Sequence, residues 1–414
     1  MNKTALIVAY YFPPLGMGGV QRMAKLAKYL PQCGYDVAVL TVRPIRYGAY
    51  DTSLLEELPA EVVVYRSGSS DPARIGRFLP LPARVESRIP VTTRDALKRF
   101  WPDSKIGWKR AALRTARKII RERKIDVVLS SSPPVTAHLV AMEIAREFSL
   151  PWVADFRDIW ESRPPEELYK DDRQTARAYD LLRQIVERAD AVTRVNDTIG
   201  VDIFARANTI TSGFDPDDFA SLNMQPDRSR FILCHMGTVG HLIESEQFFR
   251  AARIAADTEP RLSEKIHFSF IGSADPSRMM AEAKTHGWQK QIQLHGYLPH
   301  REALRQAATA SAYLLSVPPR YRDFSPGKMF DYLALPAPIL AAVPSGGEAE
   351  KLIHDHHGGL SSQPGDVQTL AENILTLFRD FQQGASWQKE DISRLTRLET
   401  ARQFAAVFDR VIHG

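Results

Sequence analysis

Cysteine is nearly absent from this chain of 414 residues, which has only Cys33 and Cys234. The two stand far apart in apolar, strand-like surroundings. That excludes a disulfide framework and predicts two buried free thiols in a reducing compartment. Long hydrophobic runs are missing too: none approaches the roughly 18 residues that a membrane-spanning helix needs. The apolar run at 5–12 is short, has no small-residue cleavage pattern and leads straight into a glycine-rich loop. It reads as a first strand and not as a secretion signal, and a cytoplasmic protein is expected. There are no short-period repeats and no low-complexity tract, which argues against a solenoid or a disordered tail. Three histidines gather in His354-Asp355-His356-His357, but their spacing fits no standard zinc pattern, and no metal is expected.

What is present is the composition of a globular protein, 44% hydrophobic and 25% charged, with length for two or three domains. The net charge of +5 is uneven. Residues 1–200 hold 32 Lys and Arg against 24 Asp and Glu. The densest segment runs from Lys105 to Lys124, with nine basic residues and one acid, Glu122. Leu113, Ala116, Ile119 and Ile120 give it a helical apolar stripe. Such a helix suits a solvated surface, or an anionic membrane surface that its cations could lean on. No aromatic interleaving accompanies the charge, so a nucleic-acid partner is not expected.

Short apolar runs at 5–12, 36–42, 62–66, 126–131, 152–156, 191–196 and 209–213 alternate with helical patterns. The alternation resumes with runs at 231–237, 266–272, 292–297, 312–317 and 338–343. Continuous apolar strands separated by helices are the mark of parallel sheets buried on both faces. The composition turns polar between 215 and 230. This predicts two doubly wound, Rossmann-like α/β domains, 1–215 and 216–390, with ligands at the strand C-terminal ends. A final segment, 391–414, carries an apolar stripe at Ala401, Phe404, Ala405, Phe408 and Val411.

The loop after the first strand is Tyr10-Tyr11-Phe12-Pro13-Pro14-Leu15-Gly16-Met17-Gly18-Gly19-Val20-Gln21-Arg22. A dinucleotide fingerprint would need a third glycine at position 21, where Gln21 stands, so a nicotinamide dehydrogenase is disfavoured. Further on, Ser130-Ser131-Ser132-Pro133-Pro134 leads into a helix with a lone His138, a position more often structural than catalytic. The strand at 152–156 opens into Asp155-Phe156-Arg157-Asp158-Ile159-Trp160. Those carboxylates either face a ligand or brace the fold with Arg157, and the residues leave both readings open.

The stretch Asp323-Phe324-Ser325-Pro326-Gly327-Lys328-Met329-Phe330-Asp331-Tyr332-Leu333-Ala334 passes from a polar loop into an apolar helix, stopped by Pro336. Ser325 is the expected N-cap and Pro326 the expected first helical residue. A helix start of this kind, with Lys328 beside it, suits a phosphate. Asp323 and Asp331 flank it and could hold hydroxyls. An ordinary capped surface helix would look the same.

This run resembles the motif of family 4 glycosyltransferases of the GT-B fold: two acids eight positions apart, here Asp323 and Asp331 where the family has glutamates, with Lys328-Met329-Phe330-Asp331-Tyr332-Leu333-Ala334 between and after them. Arg157-Asp158-Ile159-Trp160 is similar to the signature of a bacterial subgroup. Gly18-Gly19 and His235-Met236-Gly237-Thr238 resemble the glycine loops that touch the donor, and Tyr297-Leu298 the segment that meets the nucleobase. The Thr211–Asp215 turn resembles the one closing the family's first domain.

The resemblance implies two domains facing across a cleft, with the last helix crossing back to the first domain. It also implies a retaining transfer of sugar from a nucleotide-diphosphate sugar, with no cofactor besides that donor. A glycan or lipid-linked acceptor in surface polysaccharide synthesis, at the inner face of the plasma membrane, would follow. Asp323, Lys328, Asp155 and Asp158 would be the catalytic residues. Gly18, Gly19, Gly237, Thr238, Tyr297, Leu298, Ser325, Pro326, Gly327, Lys328, Met329 and Asp331 would bind the donor. A nucleotide-sugar epimerase of the same fold and a non-catalytic sugar-nucleotide or membrane scaffold are the alternatives.

Overall fold

The computed structural model describes residues 2–77, 100–160, 164–169, 171–200, 202–239 and 244–414. Most of the Pro-, Arg- and Ser-rich stretch at 67–100, expected to be irregular, lies outside the described residues. His241, considered as a counter-charge for a diphosphate, lies outside them too. The chain forms two compact units: Met1–Ser212 together with Arg397–Gly414, and Gly213–Thr396.

The first unit is a parallel sheet of seven strands: β1 (Lys3–Val8), β2 (Tyr35–Val42), β3 (Val63–Ser67), β4 (Val127–Ser132), β5 (Trp152–Phe156), β6 (Ala191–Arg194) and β7 (Asn208–Thr209). Their spatial order is β3-β2-β1-β4-β5-β6-β7. Parallel neighbours need long crossovers, and the principal helices supply them: α1 (Gly18–Tyr29), α2 (Lys109–Glu122), α3 (Thr136–Phe148) and α4 (Asp172–Arg188). Because helices cover both faces, β1 and β2 are mostly apolar, and β4, whose last three residues are serines, is buried along its whole length. The predicted seventh strand is reduced to two residues, since beyond Thr209 the chain leaves the sheet.

The second unit repeats the plan with β8 (Phe231–Met236), β9 (Ile266–Ile271), β10 (Ile292–Gly296), β11 (Ala312–Ser316), β12 (Ile339–Ala342) and β13 (Gly359–Ser362), in the order β10-β9-β8-β11-β12-β13. Its principal helices are α5 (Ser245–Thr258), α6 (Pro276–Thr285), α7 (His300–Ala307), α8 (Lys328–Ala334), α9 (Glu348–Asp355) and α10 (Val367–Gln383). The architecture is that of two Rossmann-like domains. Strand β13 was not expected from the sequence: it lies at the sheet edge, and Leu360 is its only large apolar residue. Cys234 is buried as predicted, whereas Cys33, in the turn before β2, is only half-buried.

The last helix, α11 (Arg397–His413), belongs to the first unit. Its apolar stripe places Ala401, Phe404 and Phe408 in one cluster with Ala5, Ile7, Met23 and Ala27, so it closes the face formed by β1 and α1. Phe408 is fully buried and meets Tyr35 edge to face at 5.4 Å. Phe408→Ala therefore removes a packed ring from a core that cannot collapse around it. We expect a loss of about 3–5 kcal/mol, read as a lowered urea midpoint with the slope unchanged.

Candidate functional site

In each sheet the strand order reverses once, between β1 and β4 and between β8 and β11. At such a point the crossovers leave in opposite directions and open a crevice beyond the strand C-termini. The loops rooted there are 9–17 and 133–135 in the first unit, and 237–239 and 317–327 in the second. These are the loops that the sequence singled out.

In the second unit three adjacent strands end in the same way. Gly237, Gly272 and Gly296 follow or close β8, β9 and β10 with φ of 115°, 139° and 70°. The Gly237 amide donates to the Ile271 carbonyl at 2.7 Å, and the Gly272 amide to the Gly296 carbonyl at 2.7 Å. A Cβ on Gly272 would lie 2.2 Å from the Gly237 carbonyl oxygen. No side chain fits there, and the strand ends stay open to a ligand. The sequence carries a signal for Gly272, since each of these predicted strands runs into a glycine.

Lys328 stands over this edge, with Nζ 3.1 Å from where a Gly237 Cβ would be. The same Nζ lies 3.2 Å from His235 Nε2. His235 Nδ1 is 3.0 Å from the Leu314 carbonyl, which can only accept. The ring proton therefore sits on Nδ1, and Nε2 presents a lone pair to the lysine. Burial, then the nearby Lys328 charge, hold His235 well below its ordinary pKa, against the pull of the Leu314 and Thr238 carbonyls, so the imidazole is neutral. Burial brings Lys328 down to about 7. Among the described residues no carboxylate lies within ion-pair distance of it. The outcome is a desolvated ammonium, held by a neutral partner, facing an edge with no side chains.

The helix behind Lys328 differs from expectation. It begins at Lys328, with Gly327 at the cap position in helical geometry and no side-chain cap. Ser325 and Pro326 precede it, and Pro326 contributes a carbonyl that accepts from the Met329 amide at 2.9 Å. The N-cap expected at Ser325 is thus corrected: Gly327 is already helical, which moves the cap two residues past the serine. The helix has seven residues, and Asp331 lies in its first turn. Its field at the N-terminus is correspondingly small, and the full charge of Lys328 dominates there.

Buried Met329, Phe330, Tyr332 and Leu333 anchor it. Tyr332 stacks on Tyr313 at 4.9 Å, and its hydroxyl accepts from the Met236 amide at 2.7 Å, tying the helix to the residue before Gly237. Lys389 donates to the carbonyls of Tyr332 and Leu335 at the other end. Asp331 is 3.9 Å from His300, which is 3.5 Å from Asp218. Asp323 is exposed in the turn before the helix. Tyr297 and Leu298 follow β10 at the sheet edge, and Thr238 is exposed beside Gly237. His354 and His357 pair separately, with Asp355 and Glu390.

In the first unit Asp155 is fully buried. Arg22 of α1 grips it through Nη2 to Oδ1 at 2.8 Å and Nε to Oδ2 at 3.1 Å. Ser131 and Thr193, its neighbours across β4 and β6, donate to it at 2.8 Å each. Arg22 also bonds the carbonyls of Ile210 and Thr211. Burial by itself would raise the Asp155 pKa, but the Arg22 charge and these hydrogen bonds outweigh it and hold it below the usual range. Of the two readings open for Asp155, the geometry shows the bracing contacts: four donors meet its oxygens, and they tie α1 to three strands, with Arg22 in the place expected of Arg157.

Asp158 sits half-buried in the bend after β5. His138 is buried and neutral, lowered by burial to about 3, and bonds Ser130 at 2.7 Å. Gly18 and Gly19 open α1, which has no acid in its first turn and no side-chain cap.

Two sequence families match the chain in order. A glycosyl transferase 4-like domain covers residues 17–206, and a glycosyl transferases group 1 domain covers residues 234–380. The chain belongs to the GT-B glycosyltransferases. No curated protein matches it in sequence. Among solved structures it resembles sucrose-phosphate synthase from Thermosynechococcus elongatus at 13% identity and TM-score 0.60, covering 100% of this chain and 97% of that one. It also resembles HepE of Anabaena in complex with UDP, at 15% and 0.59, covering 99% and 97%. The third is the α,α-trehalose 6-phosphate synthase from Burkholderia multivorans, at 13% and 0.63, covering 100% and 99%.

Breaking the Arg22–Asp155 pair strands a buried cation. Asp155→Ala should cost about 3–5 kcal/mol. Because the folded pKa is depressed, the stabilisation is present above the unfolded value near 4 and is lost as the pH falls through the folded one. Asp155→Asn should accordingly flatten the loss of stability on acidification below about pH 4, measured as thermal midpoint against pH.

Proposed function

We propose that this glycosyltransferase moves a sugar from a nucleotide-diphosphate donor to a glycan or lipid-linked acceptor, with retention at the anomeric carbon. The single observation that carries the reading is the Lys328 ammonium. It is desolvated, has no carboxylate partner among the described residues, and rests on a neutral imidazole above the Gly237–Gly272 edge. Leaving a cation in that state costs free energy unless an anion completes it. A diphosphate does so, and it gains charge as the glycosidic bond breaks, so the interaction is strongest in the transition state.

Asp323 and Asp331 are then assigned to donor hydroxyls, and Gly18, Gly19, Gly237 and Thr238 to close backbone approach. A donor phosphate oxygen takes the acceptor proton, so no protein base is assigned. Support for the donor class comes from HepE, which holds UDP. A role in surface glycan assembly draws support from the fold's likeness to WaaG, a glycosyltransferase involved in lipopolysaccharide biosynthesis (13% identity, TM-score 0.57).

A lipid-linked acceptor also suits α2. Arg110, Arg114, Arg117 and Arg121 recur every three or four residues along one stripe of that helix. Arg117 is engaged with Glu143 and Glu147 of α3. Arg110, Arg114 and Arg121 are exposed and have no carboxylate partner among the described residues. Arg110 and Arg114 border a surface hollow floored by Ile106 and Leu113. No helix among the described residues is long and apolar enough to cross a membrane, so the contact assigned here is peripheral.

A panel of nucleotide-diphosphate sugars should contain one that raises thermal stability by about 2.7 kcal/mol at 100 times its dissociation constant. Silence from the whole panel would turn the assignment toward a scaffold. With that donor, Lys328→Met should lower kcat by about 100-fold or more. The charged lysine is the active form, so kcat/KM should fall as the pH rises through about 7, and Lys328→Arg should remove that fall. For the helix, co-sedimentation with anionic vesicles should weaken with salt. It should drop in Arg110→Glu/Arg114→Glu, at about 1 kcal/mol for each cation lost; equal binding by parent and variant counts against this face.

A further inference from the structure

The loop after β4 has a bonding problem that its own backbone cannot solve. Pro133 and Pro134 have no N–H, so two successive residues at the strand end donate nothing. The Ser132 and Pro133 carbonyls nonetheless need donors where they leave the sheet. Arg157, one residue beyond β5, meets both: its amide and Nε reach the Ser132 carbonyl at 3.2 and 3.0 Å, and Nη2 reaches the Pro133 carbonyl at 2.7 Å. The remaining nitrogen, Nη1, donates to the Gly19 carbonyl in the first turn of α1. All three side-chain nitrogens thus go to main-chain oxygens, on two loops that flank the switch point between β1 and β4.

We propose that Arg157 is a positioning residue that fixes the Gly18-Gly19 turn against the Ser132-Pro133-Pro134 loop, so that this turn meets the donor or acceptor in one geometry. The proposal rests on the assignment of Gly18 and Gly19 to substrate contact. The guanidinium is the one side chain with a planar fork of donors able to serve three carbonyls at once. A lysine in its place offers a single nitrogen and reaches one of the two loops. The opposite side of the clasp is equally tight: a Cβ on Gly19 would lie 3.3 Å from Nη1, so a side chain there pushes the fork away. Helix α1 has no side-chain cap and its cap residue, Met17, is exposed with φ of 70°. The Gly16 amide on the Ala49 carbonyl at 2.9 Å holds the turn on one side and Arg22 on Asp155 holds the helix beyond it, and Arg157 adds the bond at the Gly19 carbonyl between them.

Backbone hydrogen exchange without any substrate separates this proposal from the assignment of the reaction. In Arg157→Ala, exchange at residues 17–20 and at residues 135–137 should rise together by tenfold or more, while β1, β2 and β4 keep the parent's protection. Millimolar methylguanidinium should restore part of it, and Arg157→Lys should protect one of the two segments only. Gly19→Ala approaches from the other side and should loosen residues 135–137, which it does not touch; it also serves if Arg157→Ala does not fold. In turnover, Arg157→Ala should lower kcat more than it raises KM, with recovery by methylguanidinium. Unchanged exchange at 17–20 in Arg157→Ala, or exchange at 135–137 indifferent to Gly19→Ala, overturns the clasp. Altered exchange in a protein that transfers no sugar would leave the clasp standing and remove the reaction.

Discussion

A strand bonded to parallel neighbours on both sides spends its backbone groups within the sheet until its last residue, and only beyond its C-terminal end can main-chain groups turn to a ligand. That constraint gathers the chemistry of this protein on two edges. At the β8/β11 reversal it is met with glycine. Gly272 cannot carry a side chain, because its Cβ would meet the Gly237 carbonyl, and Gly237 cannot carry one without displacing Lys328. The bare edge and the lysine are one arrangement: the space that a side chain would fill is where the ammonium looks out. At the β1/β4 reversal the chain uses proline instead, which removes donors, and Arg157 returns them from the adjacent strand.

The charges nearest these edges, buried Asp155 and half-buried Lys328, are handled in opposite ways. Asp155 is surrounded by donors, two from Arg22 and one from each flanking strand. Its charge is answered within the fold, and it ties α1 to the sheet. Lys328 has one neutral partner, and its pKa is accordingly low. An ammonium near its titration point at neutral pH is stabilised by whatever anion arrives. The tether of Tyr332 to Met236, with Lys389 on the far carbonyls of α8, keeps the lysine in place while it is unpaired.

Much of this was legible in the sequence. Twelve of the thirteen strands among the described residues announce themselves as apolar runs, and the polar gap between 215 and 230 separates the two sets. The edge strand β13 did not, because a strand with one large apolar residue has no periodicity to read. Lys328 was visible as a cation at a loop-to-helix transition, but its partner His235 lies ninety-three positions away and reaches it only through the sheet. The cap at Ser325 was misread because the rule that favours serine assumes a non-helical cap residue, and Gly327 is helical. The partner of Asp155 was not legible because it comes from α1: a carboxylate at a strand end looks the same on paper whether it faces a ligand or an arginine.

The arginines of α2 show how little a count of charges says until the partners are known. The sequence offers nine cations and one acid, which taken alone describes a uniform basic face. The fold divides it. Helix α3 supplies Glu143 and Glu147, and these take up Lys109 and Arg117, the cations nearest the α2–α3 seam. Pairs at this half-exposed seam contribute little to stability, but they orient the helix, since Arg117 is held by two carboxylates at once. Arg110, Arg114 and Arg121 lie on the same stripe as Arg117 and stay exposed there, beside a hollow that Ile106 and Leu113 also line. The paired cations orient the helix, and the exposed arginines beside them, more than the net charge of +5, are what the proposed lipid contact rests on.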